Sequence, residues 1–253
     1  MEAATIAATS LFRVVSNSGP FRLLVDSSNP FKFLNYAVPI DVGWGLADID
    51  RLVKDFAAVH RNPRLEFTDE LWPGLANALL ERGFSDEGSN PKLACQKTDF
   101  SARTNPLIKV EFLNHNSDIA TAMAVQERGF SSNEDLMPNE NPESVIKWRN
   151  SIKAGIWRVA VGKVDGKVAS IATGISDPSQ PGPRICEICG VTTLPSSRKL
   201  GAATTLISEL LLLHFEENEL AWLAAGSGDA QSVYEKLGFR VVAMQRNLSL
   251  ETT

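Results

Sequence analysis

The chain has 253 residues, 43% of them hydrophobic, which is enough for one large domain or two of ordinary size with a true core. Thirty Asp and Glu stand against 25 Lys and Arg, a formal net charge of −5 that argues against a broad nucleic-acid footprint. The longest apolar run, Leu210 to Phe215, follows Glu209 and is far too short to cross a bilayer. Met1 to Leu11 carries Glu2 and no early basic cluster, so no signal peptide or membrane segment is expected, and the cytosol is the expected compartment.

In chain order, Leu34 to Pro39 reads as a strand ending at a proline, and Ile49 to His60 as a helix for which Asp48 is the expected cap. Arg64 to Phe67 follows as a strand, Leu75 to Arg82 as a helix stopped by Gly83, and Leu93 to Lys97 as a strand. A short polar stretch, Ser101 to Pro106, marks the expected join, dividing the chain into 1–104 and 105–253. Beyond it, Ile108 to Leu113 is a candidate strand, Asp118 to Arg128 a helix ended by Gly129, and Pro142 to Ala154 a helix with proline at a favoured early position. Trp157 to Val164 and Lys167 to Ile175 form an expected hairpin across Asp165-Gly166.

The last quarter is the most informative. Arg184 to Pro195 reads as a strand and Ala202 to Glu217 as a leucine-rich helix covered on more than one face. Leu220 to Ala225 is then a buried strand, Ala230 to Leu237 a short helix with Asp229 as N-cap and Gly238 beyond its end, and Arg240 to Met244 the start of a last strand. Between the first strand and its helix lies Arg198-Lys199-Leu200-Gly201-Ala202-Ala203. The first amides of a helix have no partner within it and point outward with the positive end of the dipole, so a turn of this kind can grip phosphate; a polar loop before an ordinary helix fits the same six residues.

Cys95, Cys186 and Cys189 make no disulfide framework. Cys186 and Cys189 lie three apart on a strand and so point to opposite faces, which prevents them from sharing a metal; both are expected to act as small hydrophobes. His60, His115 and His214 are scattered singly and are expected to be helix or loop residues rather than ligands.

The strand ending at Pro195, the Arg198-x-x-Gly201-x-Ala203 turn, the helix, the buried strand and Tyr234-Glu235-Lys236-Leu237-Gly238-Phe239 together resemble the GNAT superfamily of N-acetyltransferases. The resemblance extends in element order from about residue 108 to 247, with sharp motifs only between Glu187 and Phe239. It implies an α/β (α+β) fold of mixed β-sheets flanked by helices, with acetyl-CoA as cosubstrate and a small-molecule or peptide amine as acceptor. No metal is implied, and the assembly is either a monomer or a homodimer. The first half repeats the series strand, helix, strand, helix, strand. Aligning Gly83-Phe84 with Gly238-Phe239 sets Leu79 opposite Tyr234, and Ile40 to Gly45 holds no Arg-x-x-Gly-x-Ala pattern. The first half is thus expected to be a degenerate GNAT-like copy lacking the cofactor turn and the phenol, although an unrelated α/β lobe fits the same pattern.

The resemblance implies roles for particular residues. The backbone amides of Val191, Thr192 and Thr193 would serve the oxyanion and the pantetheine arm, and Arg198, Lys199, Leu200, Gly201, Ala202 and Ala203 would cradle the diphosphate. Tyr234 would protonate the departing thiolate, though the same ring could merely pack on Leu237 and Phe239. Glu187, eleven residues before Arg198, is the candidate base, acting through water; an outward-facing carboxylate paired with a base fits the position equally. Ser227 falls where relatives often place a serine near the thioester. In this family the first two helices border the acceptor site, and Glu127, Glu134, Asp135, Glu140 and Glu143 make that region acidic, which would draw an amine or simply solvate the surface. A catalytically silent acyl-CoA-binding module remains the alternative to an enzyme.

Overall fold

The computed structural model describes residues 13–27, 29–138, 141–179, 184–226 and 228–251. Within these residues the chain forms two compact units, one of 13–92, 224–226 and 241–251, the other of 93–223 and 228–240.

The first unit opens with a hairpin, β1 (Val14–Ser18) and β2 (Phe21–Val25), that the sequence did not announce. A 3-10 turn over Lys32–Leu34 precedes β3 (Tyr36–Pro39), which therefore starts two residues later than expected. Helix α1 (Leu46–Ala58) starts three residues before its expected position, with Gly45 as its N-cap. Asp48 sits one turn inside, where its carboxylate accepts the Gly45 amide at 3.0 Å. Then come β4 (Arg64–Thr68), α2 (Leu75–Glu81) and β5 (Ser85–Gln96), the last beginning eight residues before the expected strand. Ile49, Leu52 and Phe56, spaced to share one face of α1, are fully buried with Leu75 and Leu79 of α2 against Phe21, Leu65, Phe67 and Leu248.

In the second unit, β6 (Lys109–Phe112), β7 (Trp157–Val164), β8 (Lys167–Ile175) and β9 (Ile185–Thr193) form a meander, followed by β10 (Leu220–Ala224). The β7–β8 turn uses Asp165 and Gly166 at φ 49° and 79°, the left-handed pair that a two-residue hairpin of this twist needs. Helices α3 (Ile119–Ser131) and α4 (Pro142–Lys153) cover one face, where Ile119, Ala122 and Trp148 pack on Val159, Val161 and Ile171. Helix α5 (Ala202–His214), three residues shorter than expected, covers the other. There Gly162 and Gly174 leave room for Leu206 and Leu210. The short helix α6 (Asp229–Glu235) follows, with Gly228 rather than Asp229 at the N-cap.

The final strand, β11 (Arg240–Ser249), pairs antiparallel with β4, with Gln245 opposite Thr68 and Ser249 opposite Arg64. Conversely, β10 lies beside β5. The strand order is β1-β2-β3-β4-β11-β5 in the first unit and β5-β10-β9-β8-β7-β6 in the second, so β11 enters the first unit from the second half of the sequence, and β5 gives residues 85–92 to the former and 93–96 to the latter. The fold is mixed α/β with helix-flanked sheets, and no helix among the described residues is long and apolar enough to cross a membrane.

Candidate active site

The site is built where β9 leaves its neighbour. Strands β9 and β10 run parallel through Leu220 opposite Ile185, Ala221 opposite Cys186 and Trp222 opposite Glu187, after which no further pair forms among the described residues. On its other side β9 remains joined to β8, with Thr173 opposite Cys189 and Ile171 opposite Thr192, so Ala172 faces both Gly190 and Val191. This is a one-residue bulge at Gly190, whose φ of 61° suits glycine and whose missing Cβ would lie 2.6 Å from the Gln126 amide nitrogen. Gln126 in turn donates to the Gly190 carbonyl at 3.3 Å.

Beyond the bulge the backbone alternates. Leu194 donates to the Ala169 carbonyl at 2.9 Å, so the groups of Leu194 and Thr192 point toward β8. Those of Val191 and Thr193 point the other way, toward the side that β10 has left, where the Thr193 carbonyl accepts Arg198 Nε at 3.2 Å. The Ser170 hydroxyl fixes this end, donating to the Thr192 carbonyl at 2.8 Å and lying 2.9 Å from Thr193 Oγ1.

A 3-10 turn over Pro195–Ser197 leads to Lys199 and Gly201, both left-handed at φ 65° and 77°, and then to α5. The Lys199, Leu200 and Gly201 amides donate to no backbone carbonyl among the described residues. The first amides of α5 have no partner within the helix, so the bend gathers unsatisfied donors at the dipole's positive end.

Three side chains hold this bend. Arg198 donates to Thr193 O, to Gly129 O at 3.0 Å and to Ser132 Oγ at 2.9 Å, so its guanidinium ties the turn to the end of α3. The Glu134 carboxylate accepts the Ser196 amide at 2.5 Å and its hydroxyl at 3.0 Å, bonds that hold its pKa below the usual carboxylate range. Asn105 donates from Nδ2 to the Leu200 carbonyl at 2.8 Å, while its own amide donates to Thr205 Oγ1 at 2.9 Å. Gly129, expected to end α3, instead lies within it, because Thr192 packs so closely that any Cβ there would overlap its hydroxyl.

Strand alternation puts Cys186 and Ile188 on the α5 side, where Cys186 Sγ lies 3.1 Å from the Cβ position of Gly174, and Glu187 and Cys189 on the α3 side. Cys186 is buried, and burial followed by the Glu187 charge pushes its thiol up to about 12. Glu187 stands at the last shared rung of β9 and β10, half-buried. Tyr234, half-buried on α6, stacks edge-on against Phe239 at 6.1 Å. Burial, then the neighbouring Cys189 thiol, pushes its phenol up to about 12. Cys189 is thus not an inert core residue but part of Tyr234's surroundings.

Other candidates lie apart. His214 is buried at the end of α5, its Nε2 3.0 Å from the Leu220 carbonyl, and burial holds its pKa low. Ser227 and Glu140 lie outside the described residues, and no group of three or more His, Cys, Asp or Glu able to hold a metal occurs among the described ones. Sequence reasoning missed Asn105, Gln126 and Ser170, which act through backbone contacts that no spacing advertises.

Residues 124–239 match the model of the acetyltransferase (GNAT) family. The match spans the elements from α3 to α6, which include the bulge, the turn and Tyr234. The fold is similar over nearly the whole chain to a GCN5-related N-acetyltransferase from Kribbella flavida, with 22% identity, TM-score 0.75, and coverage of 99% of this chain and 94% of that one. It is also similar to a GCN5-related N-acetyltransferase from Sphaerobacter thermophilus, with 13% identity, TM-score 0.61, and coverage of 92% and 76%. A tandem GNAT protein from the clavulanic acid biosynthesis pathway matches with 13% identity and TM-score 0.59, covering 91% of this chain and 78% of that one. No curated protein matches the sequence.

Proposed function

We propose that the second half of the chain transfers an acetyl group from acetyl-CoA to a primary amine by direct attack on the thioester. The supporting observation is the coincidence, at one end of β9, of a bulge that frees the Val191 and Thr193 amides, a left-handed turn of unsatisfied amides from Lys199 into α5, and a half-buried phenol on α6. The amides of residues 199–203 suit a diphosphate, and the parted strands suit an extended arm.

The amine nitrogen forms a bond to the thioester carbonyl carbon, the Val191 or Thr193 amide steadies the developing oxyanion, and the carbon–sulfur bond breaks. Tyr234 gives the leaving sulfur its proton. A phenol held near 12 remains protonated at neutral pH, and it is matched to a thiolate whose own proton affinity rises in the same desolvated setting. Glu187 accepts the amine proton through water, two residues before Cys189 on the same face. Lys199, exposed and without an ion pair among the described residues, adds positive charge beside the diphosphate.

We read residues 1–104 as a degenerate GNAT-like copy and 105–253 as the acting domain. The turn after α2 supports this: Phe84 donates to the Leu79 carbonyl at 3.1 Å, as Phe239 donates to the Tyr234 carbonyl at 3.2 Å, with Gly83 and Gly238 both left-handed. Before α1, by contrast, Gly45 is extended, so no cradle forms there.

Thiol release from acetyl-CoA with a panel of amines tests the reading. Wild type turns over and Tyr234→Phe loses roughly a hundredfold in kcat, the scale of a general acid. Equal turnover in both removes Tyr234 from the mechanism, and coenzyme A binding with no turnover on any amine favours a silent sensor or scaffold.

A further inference from the structure

We propose a second ligand site in this unit, a pocket for a small amphiphilic carboxylate at the far end of α5 from the cofactor turn. A hollow of about 470 Å³ is bounded there by the end of β6, the end of α4, the start of β7 and Leu213 of α5. Its volume lies within the range of small-ligand sites. Leu213 is eleven residues along α5 from Ala202, about 17 Å at the helical rise. The hollow is thus distinct from the site that Tyr234 and Gly201 define.

Its chemistry is one-sided. The walls are apolar, with Phe112, Ile152, Trp157 and Leu213, and Phe112 and Leu213 are 36% and 37% exposed. The polar side chains are Asn114, His115, Lys153 and Arg158, with no carboxylate among the lining residues. Arg158 and Lys153 are exposed, and neither makes a hydrogen bond or ion pair from its side chain to another described residue. A smaller adjoining hollow of about 130 Å³ shares Gly155, Arg158 and Leu213 and is lined also by Glu216 and Glu217, the latter engaging Arg184 at 3.3 Å. Arg158 is therefore the unengaged guanidinium common to both.

A guanidinium offers a flat fork that matches a carboxylate in two parallel hydrogen bonds, and an indole and leucine beside it offer a surface for an alkyl or aryl body. Cations gathered beside apolar walls focus a positive field on an occupant of the larger hollow. A carboxylate head on Arg158 with Lys153 and His115 nearby, its apolar tail along Trp157 and Phe112, uses both the cations and the apolar wall of the hollow.

The test uses the whole chain without coenzyme A, so it stands apart from the transferase reading. Octanoate is titrated by calorimetry into wild type, Arg158→Glu, Arg158→Gln and Lys54→Glu, the last making the same charge change as the first on the exposed surface of the other unit. Thermal unfolding is measured for each, and Arg158→Gln decides if Arg158→Glu fails to fold. Saturable octanoate binding is expected in wild type and Lys54→Glu, and roughly ten- to hundredfold weaker binding in the Arg158 variants, the scale of one charge-assisted hydrogen-bonded pair. Octanol is expected to bind at least about tenfold more weakly than octanoate. Absence of saturable octanoate binding, equal binding in Arg158→Gln, or octanol matching octanoate would each overturn the proposal.

Discussion

Replacing Gly201 separates two physical effects that meet at one residue. Its φ of 77° lies in the left-handed region, which costs an L side chain about 1–2 kcal/mol. Space is not the obstacle, since the nearest atom to an added Cβ is Asn105 Cβ at 4.0 Å. Gly201→Ala should therefore lower stability by about 1 kcal/mol, a fall in Tm of roughly 2–4 °C for a chain of this length. Gly201→Glu carries the same backbone strain, and its charge at the start of α5 returns a few tenths of a kcal/mol through the helix dipole, so its Tm should match that of the alanine variant. Its effect on coenzyme A should differ sharply. A carboxylate about 5 Å from a phosphate oxygen at an effective dielectric of ~20 opposes binding by about 3 kcal/mol per charge pair. Calorimetric titration should show roughly hundredfold weaker binding for Gly201→Glu and only a modest loss for Gly201→Ala. Two variants of equal Tm whose coenzyme A affinities agree within about threefold would refute the diphosphate assignment.

Asn105→Ala removes the bond to the Leu200 carbonyl and should weaken coenzyme A binding by roughly three- to tenfold, read by titration, with kcat at saturating acetyl-CoA unchanged. Gly129→Ala drives a methyl into Thr192 and should destabilise the protein by about 1–3 kcal/mol in urea unfolding. Tyr234 acts as an acid only while protonated, and with its pKa pushed up to about 12 its contribution should persist unchanged from pH 7 to 10 and be lost only as the pH approaches that value. A fall in kcat with an apparent pKa between 8 and 10 that vanishes in Tyr234→Phe would show that burial does not hold the phenol as described.

What the sequence reveals here is whatever local chemistry compels. Asp165-Gly166 announces a hairpin because both positions need left-handed backbone, and Pro142 announces α4 because a proline fits the first turn; the Asn141 cap is added by the structure. The turn from Arg198 to Ala203 is readable for the same reason, since Gly201 is required by its φ. Gly129 misleads, because its purpose is close packing on Thr192 rather than helix termination. The β1–β2 hairpin is hidden, despite Gly19 at φ 56° in its two-residue turn, because Ser16, Asn17 and Ser18 are polar and break the alternation of a strand. The exchange of β5 and β11 between the sheets is a matter of long-range pairing and leaves no local trace. Cys189 reads as an ordinary small hydrophobe until α6 brings Tyr234 beside it.

The direct measurement of the central claim is amide hydrogen exchange across the whole chain with and without coenzyme A. The account predicts slowed exchange at Val191, at Thr193 and across residues 199–203 on binding, with the β1–β2 hairpin unchanged. Binding that leaves these amides exchanging as fast as before, or that protects another region in their place, would contradict it.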